Sequence, residues 1–505
     1  MKKLLIHILV VFIFSSCFSS AFAQKKQIRI EHADRLTYIK EQDGEVRKLV
    51  GNVELRQKDL TMFCDSALFY AGNNSVDAFG NVHIVQGDSL DVYSDSLKYN
   101  GNTKQAVFYR NVELYHTQLT LTTDLLEYDV GTETAHYFNE GKVVNGQTKL
   151  TSKRGHYYAA NKMAYFKDSV RLDAPEYQLE ADTLGFNAKN RIAYFYGPTH
   201  IVLEDGTVDC VSGHYNTKEK EGWFGQNTVL DQPPQKLHCD SMYLDQDSGY
   251  ARMYKPFRWV DTTKNTILSG KKGRFYRENN YMLAYDSLLL TKIMDKDSLH
   301  MTADTFRSYN DTMTGTRQFF AYHDVSFHKS NIQGKCDSLY YDYSDSTFRM
   351  YRNPILWNEK NQMTGDTITV SLVNDQLDSL RLLKNAMVIS REDYEVFNQV
   401  KGRNIYGAFK GDQLGNMYVS NNSKSIYFGR DDEDAYIGVN EATCTNMLIL
   451  FKENKVDRIK FMEKPEATFT PIQKTNPRSH RIENFQWFHE RRPTSKMDLF
   501  NKDNK

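Results

Sequence analysis

A motif of about 29 residues recurs along the chain and constrains the fold more than any other feature of the sequence. Its anchor is a small residue that is followed in most copies by Asp. Seven anchors stand at intervals of 30, 29, 29, 29, 29 and 29 residues: Cys64, Ser94, Thr123, Ser152, Ala181, Cys210 and Cys239. Less regular copies follow at Gly270, Ala303, Cys336, Gly365, Gly402, Ser423 and Cys444. A unit this short cannot bury its apolar residues by itself. We therefore expect the copies to stack on one another.

Two columns of mostly apolar residues accompany the anchors. Two positions before the anchor stand Met62, Val92, Leu121, Leu150, Leu179, Val208, Leu237, Leu268, Met301, Gly334 and Met363. Five positions after it stand Phe69, Tyr99, Tyr128, Tyr157, Phe186, Tyr215, Leu244, Phe275, Ser308 and Tyr341. The columns are seven positions apart, whereas residues on one face of a β-strand are an even number apart. We therefore expect the strand to bend or bulge between them, near the Asp-Ser step.

The second half of each copy has the pattern of a turn followed by another strand, as in Gly51-Asn52-Val53-Glu54-Leu55 and Gly80-Asn81-Val82-His83-Ile84. Alternation of apolar and polar residues over four to eight positions is typical of half-buried β-strands. No amphipathic helix of ten or more residues interrupts the pattern. The sequence predicts an all-β fold, an elongated and repetitive β-jellyroll or solenoid-like stack with an apolar interior groove.

The chain is expected to have four segments. Residues 1–23 have the features of a secretory signal peptide: a basic start, an apolar run and the cleavage pattern Ala21-Phe22-Ala23. Regular repeats occupy residues 24–270, and less regular repeats continue the stack over 271–463. Residues 464–505 lose the period and are expected to form a C-terminal cap and a flexible tail. Lipidation at Cys17 is an alternative to cleavage after Ala23, and the sequence leaves both open.

Charge and composition argue against several functions. With 64 basic and 64 acidic residues, the chain lacks the basic surplus typical of nucleic-acid-binding proteins. The five cysteines after the signal peptide are widely spaced and form no Cys-x-x-Cys pair, so we interpret them as small buried residues of the repeat. The acidic run at 430–434 lacks the spaced ligands of a calcium loop and is interpreted as a solvated turn. No catalytic or cofactor motif is present, so we expect neither an enzyme nor a cofactor.

The signal peptide, the strand units of the Gly-Asn-Val-Glu-Leu type and the column of Asp-Ser/Thr-Leu-x-Tyr/Phe resemble the OstA/LptA-like β-jellyroll proteins of lipopolysaccharide transport. The resemblance is best to the large OstA-like subgroup (organic solvent tolerance) and covers about residues 28–463. It implies a curved β-jellyroll whose two sheets enclose an apolar groove for the acyl chains of lipid A. The candidate groove residues are Met62, Cys64, Val92, Leu121, Leu150, Leu179, Val208, Leu237, Leu268, Met301 and Met363.

The function that the resemblance implies is non-enzymatic binding or bridging of lipopolysaccharide on its way to the outer membrane. The expected partners are lipopolysaccharide and other lipopolysaccharide transport subunits, which the terminal strands would contact by strand addition. The expected location is the periplasm, with association with the outer membrane. A second interpretation stays open: a secreted β-solenoid with an adhesive or structural role would show the same repeats, but its own side chains would fill its interior. The sequence does not decide which apolar column faces the groove, the oligomeric state or the lipid.

Overall fold

The computed structural model describes residues 27–41, 44–87, 90–294, 297–310, 313, 315–373, 376–410, 413–452 and 455–500. The expected signal peptide and Cys17 lie outside these residues. The chain divides into an N-terminal unit that ends at Ile201 and a C-terminal unit that begins at Val202. The division falls inside the regular repeats, before the change in spacing at Gly270.

The N-terminal unit consists of β-strands. They are β1 (Arg29–His32), β2 (Arg35–Glu41), β3 (Gly44–Gln57), β4 (Leu60–Tyr70), β5 (Ser75–Gln86), β6 (Leu90–Asn100), β7 (Gln105–His116), β8 (Leu119–Asp129), β9 (Thr134–Tyr137), β10 (Gly141–Asn145), β11 (Thr148–Ser152), β12 (Arg154–Tyr158), β13 (Met163–Asp173), β14 (Gln178–Asn187) and β15 (Ile192–Leu203), which contains the division point.

The C-terminal unit continues with strands and ends in short 3-10 helices. Its strands are β16 (Gly206–Asn216), β17 (Glu221–Gln232), β18 (Gln235–Asp245), β19 (Tyr250–Asp261), β20 (Thr266–Tyr276), β21 (Tyr281–Tyr285), β22 (Leu289–Ile293), β23 (Ser298–Thr302), β24 (Thr305–Asn310), β25 (Arg317–Lys329), β26 (Ile332–Asp342), β27 (Thr347–Tyr351), β28 (Ile355–Asn358), β29 (Asn361–Thr364), β30 (Thr367–Val373), β31 (Gln376–Asp393), β32 (Val396–Lys410), β33 (Gln413–Arg430), β34 (Tyr436–Lys452), β35 (Lys455–Met462) and β36 (Glu466–Pro471). The 3-10 helices are η1 (Ile472–Lys474), η2 (Pro477–Ser479), η3 (His489–Arg491) and η4 (Met497–Phe500). The described residues contain no α-helix, and therefore none that could cross a membrane, so the predicted all-β fold is confirmed.

The long strands bend at a two-residue bulge instead of ending in a turn. In β3, Gly51 and Asn52 stand opposite the single residue Asp65 of β4, and both have positive φ, 82° and 47°. The same kind of pair occurs at Gly80-Asn81, Arg110-Asn111, Asp168-Ser169, Gln226-Asn227 and Lys384-Asn385. The prediction of turns between separate strands at these motifs is wrong, because antiparallel pairing resumes on both sides of each bulge.

The bulge changes which residues face inward. In β4, Leu60, Met62 and Cys64 are buried before the bend, and Ala67 and Phe69 are buried after it. The buried set moves from even to odd positions between Cys64 and Ala67. The predicted change of face near the Asp-Ser step is therefore confirmed.

Both halves of the bent strands contribute to one core in the N-terminal unit. A single hydrophobic cluster contains Val53 and Met62 from one side of the bulges and Leu49 and Ala67 from the other. The two sets of half-strands thus form two facing layers over a shared core, which is the β-jellyroll arrangement that the sequence suggested.

An asparagine and an aspartate fix each of several bulges. Asn81 Nδ2 donates to Asp65 Oδ2 at 2.9 Å, and Asn111 Nδ2 donates to Asp95 Oδ2 at 3.1 Å. A Cβ atom at Gly80, whose φ is 75°, would lie 2.4 Å from Asp65 Oδ2. The Asp of the repeat is therefore a structural residue that accepts a hydrogen bond at the bend.

In the described part of the chain, the first two and the last two strands each pair with a single neighbour. Strands β1 and β2 both pair with β3, and β35 and β36 both pair with β34. Beyond β36 the chain stays packed, since Leu499 of η4 is buried and η4 contacts β23 and β25. Residues 501–505 of the expected flexible tail lie outside the described part of the chain.

We expect Gly80→Ala to lower the free energy of unfolding by about 2 kcal/mol, because a side chain at positive φ would collide with the Asp65 carboxylate. Arg110→Ala is the matched control: Arg110 occupies the same bulge position with φ 62° and already carries a Cβ. We expect it to cost less than about 0.5 kcal/mol. Urea unfolding of protein that begins at Gln24 measures both, and equal destabilisation would contradict this role of Gly80.

Candidate functional site

All the candidate groove residues point into the interior and are buried. Their exposed fractions run from 0% for Met62 and Val92 to 8% for Met363. The one exception in the aliphatic column, Gly334, is explained by its neighbour: a Cβ there would lie 2.3 Å from Cζ of Phe327. The Phe327 ring thus fills the space that an aliphatic side chain fills in the other copies.

The strands that lie between successive repeat anchors each add one more apolar residue to the aliphatic column. The sequence analysis missed these residues. In the N-terminal unit the residues that pair directly across strands are Leu55, Met62, Ile84, Val92, Leu114, Leu121, Val143, Leu150, Leu172 and Leu179. In the C-terminal unit they are Val208, Leu230, Leu237, Trp259, Leu268, Leu290, Met301, Phe327, Gly334, Leu356, Met363 and Val388. We call each of these rows an apolar ladder. A signal was present, because Leu55, Ile84, Leu114, Leu172 and Phe327 each end the strand motif that follows a bulge.

The aromatic column changes character along the chain. Phe69, Tyr99 and Tyr128 are buried in the N-terminal unit. Tyr99 Oη donates to Gln57 Oε1 at 2.5 Å, and burial raises the pKa of Tyr99 to about 12. The later members Tyr157 and Phe186 of this unit, and Tyr215, Leu244 and Phe275 of the C-terminal unit, are half-buried. The aromatic column is thus buried in the first repeats and more exposed to solvent in the later ones.

The five cysteines of the described chain are free and buried, as their repeat position suggested. Burial raises the pKa of the Cys64 thiol to about 11 and those of Cys210 and Cys239 to about 12. A thiol that stays protonated at neutral pH is a poor nucleophile and a poor metal ligand. These cysteines therefore serve as small apolar groups of the interior.

Two of the charged residues near the anchors form ion pairs within the fold. Arg154 pairs with Asp168, and Lys271 Nζ lies 3.3 Å from Asp286 Oδ1, in each case beside a bulge. In the acidic run, Asp431 Oδ1 accepts hydrogen bonds from the backbone N–H groups of Glu433 and Ala435 at 3.0 and 2.8 Å. This is ordinary turn bonding, and no group of three or more potential metal ligands exists among the described residues.

Residues 480–492, here called the C-terminal segment, cover part of the outer face of the C-terminal unit. Its residue Ile482 is buried in a cluster with Met387, Ile389 and Phe428, and Phe485 and Trp487 pack against it. Met387 and Ile389 alternate with the inward-facing Val388, so this cluster lies on the side of the strand opposite the apolar ladder. The cluster is therefore a second core outside the jellyroll.

Buried glutamines clamp the backbone of this segment. Gln399 Nε2 donates to the carbonyl of His480 at 2.9 Å, while its Oε1 accepts from the N–H of Ile482 at 2.8 Å. Gln362 does the same with the carbonyl of Gln486 and the N–H of Phe488, at 2.8 and 2.7 Å. Each amide thereby satisfies two backbone groups, as a neighbouring strand would.

The clamps occupy one position of the repeat. Gln333, Gln362 and Gln399 stand three positions before the anchors Cys336, Gly365 and Gly402, and Glu441 has the same relation to Cys444. Gln333 Oε1 accepts from Arg492 Nε at 2.8 Å, and Glu441 Oε1 lies 2.9 Å from His480 Nδ1. In the N-terminal unit this position holds Thr61, Asp91, Thr120, Lys149 and Gln178. The recurrence of glutamine at this position in Gln333, Gln362 and Gln399 was the sequence signal for the covered face, and the sequence analysis missed it.

Two family models match the chain. Residues 25–182 match the model described as OstA-like protein. Residues 292–376 match the model described as LptA/(LptD N-terminal domain) LPS transport protein. The first match lies before the division at Ile201 and the second after it. No curated protein matches the chain.

We expect Gln362→Ala and Gln399→Ala each to lower the free energy of unfolding by about 2 kcal/mol, because each removes two hydrogen bonds to partly or fully buried backbone groups of the C-terminal segment. Tryptic cleavage at Arg478 or Arg481 should become faster. Gln178→Ala is the matched control, since Gln178 is an exposed glutamine at the same repeat position. Urea unfolding and timed proteolysis measure the effects. Clamp variants that behave like the Gln178 variant would show that the glutamines do not hold the segment.

Proposed function

Because the chain belongs to the OstA/LptA-like family, we propose that it binds the acyl chains of lipopolysaccharide along its apolar ladders and bridges their passage to the outer membrane. The observation that carries the proposal is the unbroken row of apolar side chains inside the jellyroll. In the N-terminal unit this row crosses ten strands from Leu55 to Leu179, a path of about 40 Å at the usual strand spacing. The protein acts without catalysis, in the periplasm and in association with the outer membrane.

An apolar ladder suits an acyl chain because both are elongated and apolar. Transfer of each methylene from water to such a surface is favourable by about 0.8 kcal/mol. Met62, Met301 and Met363 add flexible thioether side chains that adapt to chains of different length. The ladder is continuous, so a lipid can move along it without crossing a polar barrier.

Binding requires the layers to separate or their side chains to rearrange, since most ladder residues are buried; the half-buried members are Val143, Leu172, Leu230, Trp259 and Leu290. The half-buried aromatic residues such as Phe186, Tyr215 and Phe275 mark the side on which an acyl chain enters the interior most easily. Replacing an aromatic contact by a lipid contact conserves buried apolar area, which keeps the cost of opening small.

The low exposure of the ladders also favours a second candidate function. A β-jellyroll with an interior filled by its own side chains would serve as a structural or adhesive protein of the envelope. The two functions differ in one property, which is whether lipid reaches the ladder in living cells.

The partner side of the proposal is strand addition at the ends of the chain. Strand β2 exposes Leu36, Tyr38 and Ile39, and Tyr38 is 62% exposed. In β36 at the other end, Phe469 is 53% exposed. Exposed apolar residues on strands that pair on one side favour the addition of a further strand. The proposed partners are other lipopolysaccharide transport subunits.

Photo-crosslinking in cells tests lipid binding. A photoreactive amino acid at Leu121, Leu179 or Leu237 is expected to give lipopolysaccharide adducts, and so is one at the half-buried Phe275, where the substitution is mild. Lys98 and Glu127, which are exposed on β6 and β8, are the controls without adducts. If all the interior positions of the folded, exported protein stay free of lipid, the filled-interior function is the correct one.

Charge substitutions at the terminal strands test the partner proposal. Tyr38→Asp and Phe469→Asp are each expected to reduce copurification of other transport subunits with the tagged protein by about tenfold, because a charge at the edge opposes strand addition. Tyr394→Asp is the control, since Tyr394 is 72% exposed and joins β31 to β32 away from the terminal strands. Unchanged copurification with both edge variants would refute strand addition at these edges.

A further inference from the structure

The chain repeatedly places one of its own arginines against an aromatic ring and a carboxylate. The guanidinium of Arg430 lies 4.2 Å from the centre of the Tyr436 ring, and its Nη1 is 2.6 Å from Asp434 Oδ2. Arg349 lies 5.4 Å from the centre of the Tyr340 ring and pairs with Asp345. Both attractions favour a cation, and a planar guanidinium can satisfy ring and carboxylate together.

The outer face of the N-terminal unit carries the same two kinds of group in a square on β6 and β7. Asp91 stands opposite Tyr115 across the strands, and Tyr93 stands opposite Glu113. These four residues, here called the acid–aromatic square, line a surface depression of about 400 Å³. The two carboxylates occupy one diagonal and the two rings occupy the other.

The square presents accessible rings. Tyr93 and Tyr115 are 42% and 40% exposed, and their rings are 5.9 Å apart at an angle of 81°. The imidazole of His83 stacks on Tyr93 at 4.2 Å, nearly parallel to it. This stacking and the Tyr93–Tyr115 contact hold the rings in place before any ligand arrives, which lowers the cost of ordering them on binding.

The carboxylates of the square retain unused acceptor positions. Asp91 Oδ1 lies 2.8 Å from His83 Nε2, and Glu113 Oε2 accepts a hydrogen bond from Tyr115 Oη at 2.6 Å. An ionised carboxylate can accept about four hydrogen bonds. Each therefore keeps an oxygen that can receive an N–H from a bound cation.

No arginine or lysine in the described part of the chain occupies the square. The cations that lie over rings are elsewhere: Arg47, Arg252, Lys272, Arg307, Arg317, Arg349, Arg430, Arg481 and Arg491. Among the described ion pairs, Asp91 pairs with His83 alone. The square thus combines aromatic rings and carboxylates, as the sites around Arg430 and Arg349 do, but no arginine of the described chain lies in it.

We propose that the acid–aromatic square binds the guanidinium of an arginine side chain carried by a partner polypeptide. The two carboxylates supply charge complementarity, and the exposed rings supply a stacking surface for the planar cation. The site is independent of the lipid proposal, because it lies on the outer face while Val92 and Leu114 of the same two strands face inward. A neutral sugar would leave the two carboxylates without a charged partner.

The test uses Nα-acetyl-arginine amide as the probe and full-length mature protein labelled with 3-fluorotyrosine. Fluorine resonances of Tyr93 and Tyr115 are assigned from Tyr93→Phe and Tyr115→Phe. We expect both resonances to shift saturably with the arginine probe. We expect no saturable shift with Nα-acetyl-citrulline amide, which has the same shape without the charge. The lysine analogue should bind about fivefold more weakly, because its ammonium lacks the planar fork.

The double substitution Asp91→Asn and Glu113→Gln is expected to abolish the response, while Glu127→Gln on the neighbouring β8 leaves it intact. All of these side chains are at the surface, so the unfolding midpoint checks that each variant stays folded. Equal binding of citrulline and arginine, a response to a neutral saccharide in place of arginine, or an unaltered response in the double variant would overturn the proposal. Since the readout contains no lipid, its outcome is separate from that of the crosslinking experiment.

Discussion

The pair of positive-φ residues inside alternate strands is the constraint on which this architecture depends. Two residues on one strand stand opposite one residue on the next, so both strands bend, and the buried set of the strand with the single residue shifts from even to odd positions in β4. Without that shift, Met62 and Phe69 would face opposite sides of one sheet. With it, both point into a common core, and one strand serves both layers of the jellyroll. The Asn–Asp hydrogen bond holds the bend, since Asn81 and Asp65 would otherwise lose a partner at a point where the ladder is interrupted.

The bend also sets what the interior can offer a ligand. Because each half-strand contributes its apolar residue in direct register with the next, the interior row is continuous and contains no charged residue from Leu55 to Leu179. The same dense register buries most of the row, and Val143 and Leu172 are its half-buried members. The half-buried aromatic residues, such as Phe186 and Phe275, are the more solvent-accessible members of the aromatic column.

The outer faces of the two units are used differently. In the C-terminal unit, Gln362 and Gln399 replace the backbone partners of the C-terminal segment, and Ile482 closes a second apolar core. In the N-terminal unit, the corresponding repeat position holds short or charged residues such as Thr61 and Asp91, and aromatic rings beside them stay exposed. A covered face adds stability to the fold, whereas an uncovered face with rings and carboxylates can meet a partner.

The sequence by itself determined the repeat, the strand content, the buried aliphatic column and the bend between Cys64 and Ala67, because period and parity are local properties of a chain. It also carried the likeness to OstA/LptA-like proteins, which rests on recurring strand motifs. Only the tertiary structure decided that Gly51-Asn52 and its equivalents bend strands instead of ending them, since a pair of positive-φ residues is compatible with a turn or a bulge until a neighbouring strand pairs on both sides. Likewise, Gln362 and Gln399 resemble any polar residue on an outer face until the chain returns more than 80 residues later and offers them an unpaired backbone.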